Sequence, residues 1–220
     1  MKKENNEKKD FKPILIYFLI TFGLAFVFGV ALAIVEIALG KDSLATQFGY
    51  LGSVIPTLIV FIVFSIMYRK RIVSDCKKLK GKDLLIIFLI ALGTIAINLV
   101  IGIVFEKIGV KMDNQNTIVS MFNEHKIIIA LLACVFGPVI EEFVFRYSLG
   151  TLINNKYAFL IVSSLLFGII HAIGVATILY VFLGAMFGLV YLKYNKNVVA
   201  SIIIHALNNI ASIIIMFLGL

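Results

Sequence analysis

The sequence predicts an all-α fold, a polytopic membrane helix bundle of about seven transmembrane helices, and three observations predict it. The 220 residues are 61% hydrophobic and only 15% charged, whereas soluble domains run at about 45–50% apolar and about 25% charged. Mean hydropathy is +1.07. The apolar residues gather into runs of about 20, the length a helix needs to cross a hydrocarbon core about 30 Å thick.

The runs occupy 13–40, 48–68, 84–105, 127–149, 157–173, 174–192 and 198–220. Five lysines in residues 1–12 precede the first run and resemble a signal-peptide n-region, with Ala31-Leu32-Ala33 mimicking a cleavage site. The apolar stretch from Pro13 to Val30 exceeds the 7–15 residues of a secretory h-region, so an uncleaved first helix is expected. Pro56 falls inside the second run and Pro138 inside the fourth, where neighbouring helices can re-satisfy freed carbonyls. The fifth and sixth runs meet almost without a loop at Ala172–Gly174, leaving one broken or re-entrant element as the alternative there and six to eight spans as the bounds. One membrane domain is expected: a basic segment 1–12, helices and loops over 13–126, and a core over 127–220 that carries the chemistry.

Lys and Arg outnumber Asp and Glu by 20 to 12, for a net charge of +8. The basic residues lie between apolar runs, which makes them topology signals rather than a nucleic-acid footprint. With the N-terminus inside, 16 of them fall on the inner side and 4 (Lys41, Lys107, Lys111 and Lys126) on the outer. That asymmetry predicts a cytoplasmic N-terminus. Cys76 and Cys134 form no metal or disulfide pattern and are expected as free thiols.

A charged side chain at a helix centre costs about 2.5–3.5 kcal/mol on insertion scales, so each one here needs a reason. Glu36 is close enough to its helix end to snorkel, Asn98 suits helix–helix contact, and His125 lies in a loop. The fourth run is different. Its segment PVIEEFVFR puts Glu142 and Arg146 at i and i+4, one face, where they can pair. Glu141 points about 100° away and has no partner nearby in sequence; a single structural cluster of both acids is the competing reading. Phe167 and His171 follow at i and i+4 in the fifth run, and His205 and Asn209 at i and i+4 in the last, with Asn208 beside them.

A lone intramembrane histidine is often only hydrogen-bonded interior. Two histidines, an asparagine and a surplus carboxylate on three helices could instead share a water-filled pocket. A carboxylate and an imidazole can deprotonate a water for attack on a carbonyl, and a second imidazole with an amide can stabilise the oxyanion. No serine or cysteine stands with a base, and the zinc signature H-E-x-x-H is absent. Intramembrane Glu and His also build proton relays, so a small proton-coupled transporter is a rival reading, as is a non-catalytic immunity or scaffold protein. Charge arithmetic puts Glu141 and His205 in the inner halves of their spans and predicts a pocket opening to the cytoplasmic side.

Taken in order, Glu141-Glu142-x-x-x-Arg146, Phe167-x-x-x-His171 and His205-x-x-x-Asn209 resemble the three-part signature of the CPBP family. These are the CAAX-processing and bacteriocin-associated intramembrane proteases, also called the Abi family, with the type II CAAX prenyl endopeptidase among their relatives. The resemblance covers residues 127–212. It implies a glutamic-type endopeptidase: Glu141 activates water with His171, His205 and Asn209 form the oxyanion hole, and Glu142 with Arg146 is the supporting pair. It implies no cofactor; a divalent metal held by Glu141, His171 and His205 is the alternative. The partners expected are the lipid bilayer and a membrane-associated peptide or protein, in a bacterial cytoplasmic membrane. Peptide maturation and bacteriocin self-immunity are the roles such relatives suggest.

Overall fold

The computed structural model describes residues 8–40, 48–110, 118–119, 121–122 and 124–218. Lys2, Lys3, Lys41, Lys111 and the last two residues of the seventh run lie outside that set. All regular structure among the described residues is helical. The helices are α1 Lys12–Leu39, α2 Leu51–Met67, α3 Arg69–Lys78, α4 Gly81–Lys107, α5 Lys126–Leu152, α6 Lys156–His171, α7 Thr177–Lys193 and α8 Val198–Leu218.

The seven apolar runs each become a helix, but length separates them. Among the described residues, five helical stretches are long and apolar enough to cross a membrane, and α2 with α3, bent by 71° at Tyr68, would make a sixth. α6, with 16 residues, is shorter than a full span. The junction at Ala172–Gly174 is a true break. Ala172 is extended, Gly174 takes φ 76°, and a short 3₁₀ turn over Gly174–Ala176 leads into α7. Glycine supplies that left-handed angle without a Cβ clash.

Local chemistry sets the ends. Pro13 opens α1 with a ring that needs no N–H there, and Gly40 closes it at φ 63°. Asn155 caps α6, its Oδ1 accepting from the N–H of Tyr157 at 2.9 Å and of Ala158 at 3.1 Å. Asn197 caps α8 through Ala200 N–H at 2.9 Å.

The end of the bundle that carries the basic segments is tied together by polar contacts. Asp75 of α3 is fully buried; it accepts from Arg71 Nε at 2.8 Å, Lys78 Nζ at 2.7 Å and the backbone N–H of Val198 at 3.1 Å. Asn197 Nδ2 donates to the Asp75 carbonyl at 2.9 Å. Asp10, ahead of α1, receives the Tyr68 hydroxyl at 3.0 Å, and its own N–H donates to Thr151 at 2.9 Å. These contacts fix where α8 begins, and with it the depth of every residue further along that helix.

α6 and α7 pack backbone to backbone. A Cβ added to Gly168 would run into Val181 Cγ2 and stand 3.0 Å from the Val181 backbone nitrogen and 3.1 Å from the Thr177 carbonyl. Small residues permit this approach, the usual device for joining helices where lipid removes the hydrophobic drive. Outward residues such as Phe22, Phe26, Leu89 and Val100 are exposed and apolar, as a bilayer-facing surface requires.

Candidate active site

α5 is one helix in its span but not in its register. Leu132–Phe136 and Phe143–Ser148 are π-helical turns, flanking the α-helical segment Gly137–Glu142. A Gly-Pro pair such as Gly137-Pro138 can by itself kink a helix; the interruption here is a wide turn just before it. In that turn Gly137 N–H donates to the Leu132 carbonyl. Continuing the register, the Ala133 carbonyl should receive the N–H of residue 138, which is proline and has none. Asn209 supplies the missing donor from α8, its Nδ2 lying 2.8 Å from Ala133 O.

Glu141 and Glu142 face different surroundings, as their offset on the helix requires. Glu142 is fully buried. Its Oε2 lies 3.2 Å from Arg146 Nε and takes the Ser201 hydroxyl, and its Oε1 lies 2.9 Å from His205 Nδ1. Arg146, equally buried, also donates to the Gly184 carbonyl at 3.1 Å and lies 4.8 Å from the centroid of the Phe167 ring. The expected Glu142–Arg146 pair is present, with two partners that spacing did not suggest: His205 and Ser201. Ser201 lies four residues before His205, so the helical repeat was the signal that could have found it.

Glu141 faces a cavity of about 240 Å³. Its Oε2 stands 3.3 Å from His171 Nε2 and 3.8 Å from His205 Nε2. Each imidazole is held through its other nitrogen. His171 Nδ1 donates to the Phe167 carbonyl at 2.7 Å, so the Phe167–His171 spacing is the length of that bond's helical turn. His171 stacks on Phe167 and Tyr180, and His205 stacks on Phe187 at 4.5 Å between centroids. With Nδ1 occupied on both rings, both Nε2 atoms converge on one carboxylate oxygen. Glu141, His171, His205 and Asn209 thus line one cavity from three helices, joined by Asn98, Asn208 and Ser212. Asn98, read as a helix–helix contact, also lines this wall. His125, read as a solvated loop residue, is half-buried against Tyr50, ring centroids 4.1 Å apart. Both cysteines are free thiols.

The direction of the cavity corrects the charge arithmetic. From Glu141 its lining runs back along α5 to Leu132, along α7 to Leu179 and along α8 from His205 to Ile213. Each of these directions leads away from the basic end at Leu152, Lys193 and Val198. His205 already lies seven residues into α8, roughly 10 Å at 1.5 Å per residue. Buried Glu142, Arg146, Tyr191 and Ile204 fill the space between cavity and basic end. The floor, not the mouth, faces the side expected to be cytoplasmic. Residue counting along a span gives depth but not the side from which packing leaves a space.

Two Nε2 atoms and a carboxylate are chemically suited to a His₂Glu metal site, and their outer nitrogens have the partners such ligands use. Among the described residues, however, no group of three His, Cys, Asp or Glu side chains is arranged to hold a metal ion.

Residues 123–211 match the family model described as type II CAAX prenyl endopeptidase Rce1-like. Over 152 residues the chain is 28% identical to the UPF0177 protein YajF of Lactococcus lactis subsp. lactis (strain IL1403), covering 65% of this chain and 72% of that protein. No solved structure matches. The matched stretch contains Glu141, Glu142, Arg146, Phe167, His171, His205 and Asn209, and the chain that carries it is an integral, multi-pass membrane protein.

Proposed function

We propose that the protein is an intramembrane endopeptidase that hydrolyses a peptide bond of a membrane-associated peptide or protein by direct attack of water. The observation that carries this reading is the placement of Glu141 Oε2 between His171 Nε2 at 3.3 Å and His205 Nε2 at 3.8 Å, in a cavity inside an apolar bundle. A water held by Glu141 and His171 gives one proton to the Glu141 carboxylate as its oxygen bonds to the substrate carbonyl carbon. The tetrahedral oxyanion is met by His205 and by the Asn209 amide hydrogen not used on Ala133. The C–N bond then breaks, and Glu141 returns the proton to the leaving amine. Glu142 and Arg146 hold His205 from behind. No metal takes part in this scheme. The N-terminus is cytoplasmic, the substrate enters from the membrane, and peptide maturation or bacteriocin self-immunity is the setting the activity serves.

The test uses the full chain in liposomes with a panel of quenched-fluorescent peptides, some prenylated at a C-terminal cysteine and some uncharged and apolar. Cleavage sites are read by mass spectrometry. Glu141→Gln and His171→Ala should each lower the rate roughly 10²–10⁴-fold, the usual contribution of a positioned acid–base group, with expression and melting temperature kept. Activity should survive exhaustive chelation. No cleavage of any panel peptide, or full activity in Glu141→Gln, overturns the assignment; loss on chelation and recovery with zinc replaces water activation by Glu141 with metal chemistry.

A further inference from the structure

One side chain of the cavity has no task in that mechanism. Asn208 precedes the motif asparagine and is 3% exposed. It lines the cavity, and its Oδ1 is buried without a hydrogen-bond partner. A buried amide oxygen left unpaired is costly in any protein, and more so at membrane depth, where no bulk water competes. Such an atom persists where a ligand completes it. Its place is set by helical geometry: His205, Asn208, Asn209 and Ser212 occupy positions i, i+3, i+4 and i+7 of α8, one polar stripe along one wall. Asn98 of α4 lines the same cavity.

The chemistry of this wall is that of carboxamides and a hydroxyl, which recognise a peptide main chain and not a charged side chain. Asn209 already commits one N–H to a carbonyl that a proline has orphaned. Asn208 Oδ1, an acceptor only, is the complement of a peptide N–H. We infer that Asn208 is a substrate-positioning residue whose Oδ1 accepts a main-chain N–H of an extended, uncharged substrate segment lying along α8. The inference rests on the peptidase reading. It adds that recognition is through the substrate backbone on the α8 side of the scissile bond.

The experiment takes the panel peptide that the wild-type chain cleaves fastest and prepares it with a single ester replacing each amide in turn, so that one N–H is lost each time. Wild type and Asn208→Leu are compared on the whole series, with melting temperatures measured in parallel. One ester position should raise KM in the wild type by roughly ten-fold, the scale of one lost hydrogen bond in a buried site. Asn208→Leu should raise KM on the all-amide peptide by a similar factor, with kcat nearly kept, and should be insensitive to that same ester. Asn208→Asp, which retains an acceptor oxygen, should recover part of the KM. Unchanged kcat/KM in Asn208→Leu overturns the inference, as does an ester penalty equal in both proteins. A variant too unstable to assay would make Asn208→Ser the comparison, judged by the same ester position. If no panel peptide is cleaved at all, it is the peptidase reading that fails, not the assignment of Asn208 within it.

Discussion

Arg146→Met should be the most damaging single change behind the site, and its cost can be set against a double variant. Arg146 and Glu142 are each wholly buried with Nε 3.2 Å from Oε2. Losing the guanidinium leaves Glu142 with His205 Nδ1 at 2.9 Å and the Ser201 hydroxyl, but without its permanent cation. Breaking one side of a buried pair costs about 3–5 kcal/mol, because the surviving charge keeps its desolvation penalty; replacing both partners by neutral groups is often close to neutral. Neither side chain reaches solvent, so no screening reduces the figure. The assay is thermal unfolding of the full chain in detergent for wild type, Arg146→Met, Glu142→Gln and the double variant. At about 2–4 °C per kcal/mol for a domain of this size, Arg146→Met should melt roughly 6–20 °C below wild type. Glu142→Gln with Arg146→Met should regain at least half of that loss. A single variant within about 2 °C of wild type on that scale, or a double variant no better than Arg146→Met, would show that the charge pair is not what holds this part of the bundle.

The same contacts have other measurable consequences. Gly168→Ala should cost about 1–3 kcal/mol, since the new Cβ meets Val181 and Thr177 backbone atoms that cannot yield without separating α6 from α7; Gly23→Ala, with nothing within 4 Å, should instead gain up to about 1 kcal/mol of helix propensity in the same melting assay. Asp75→Asn removes a buried anion serving two cations and the α8 N-terminus, and should cost on the order of 3 kcal/mol; a change below a third of that would mean α8 is anchored elsewhere. Asn209→Ala should lose about 1–3 kcal/mol by leaving the Ala133 carbonyl without a donor. In a Pro138→Ala background the restored N–H should absorb much of that loss, and a double-mutant cycle with no coupling would refute the substitution of one donor for the other.

The helices were legible because a membrane imposes its own period: runs of about 20 apolar residues have few alternatives to a spanning helix. The Glu142–Arg146 pair was legible for a similar reason, being i and i+4 on one helix. Contacts between helices were not. Nothing adjacent in sequence says that Glu142 holds His205 across 63 positions, or that Asp75 caps α8 across 123. The wide turns of α5 were half-visible in Gly137-Pro138, which marked a break but not its kind. The direction of the cavity was inferred from charge counts that report topology alone, and packing decided it otherwise. Four residues expected at one site line one cavity, yet Asn209 has a structural tie that its place in a motif did not disclose.

The two wide turns explain how adjacent carboxylates can be given opposite tasks. A π turn adds a residue to the helical repeat and so rotates the helix on its C-terminal side relative to the helix on its N-terminal side. With one such turn ending at Phe136 and another beginning at Phe143, the six residues Gly137–Glu142 carry a rotational phase independent of both flanks. The flanks keep their apolar faces toward lipid and core. The short segment between them turns Glu142 into the packed interior against Arg146 and His205, and Glu141 into the cavity against two Nε2 atoms. An uninterrupted α-helix would tie those orientations to the apolar faces of the whole span, where a carboxylate costs several kcal/mol. Pro138 keeps the first turn open by denying Ala133 its donor, and Asn209 provides a substitute donor from α8. The register that frees Glu141 is therefore held by a residue of the same site.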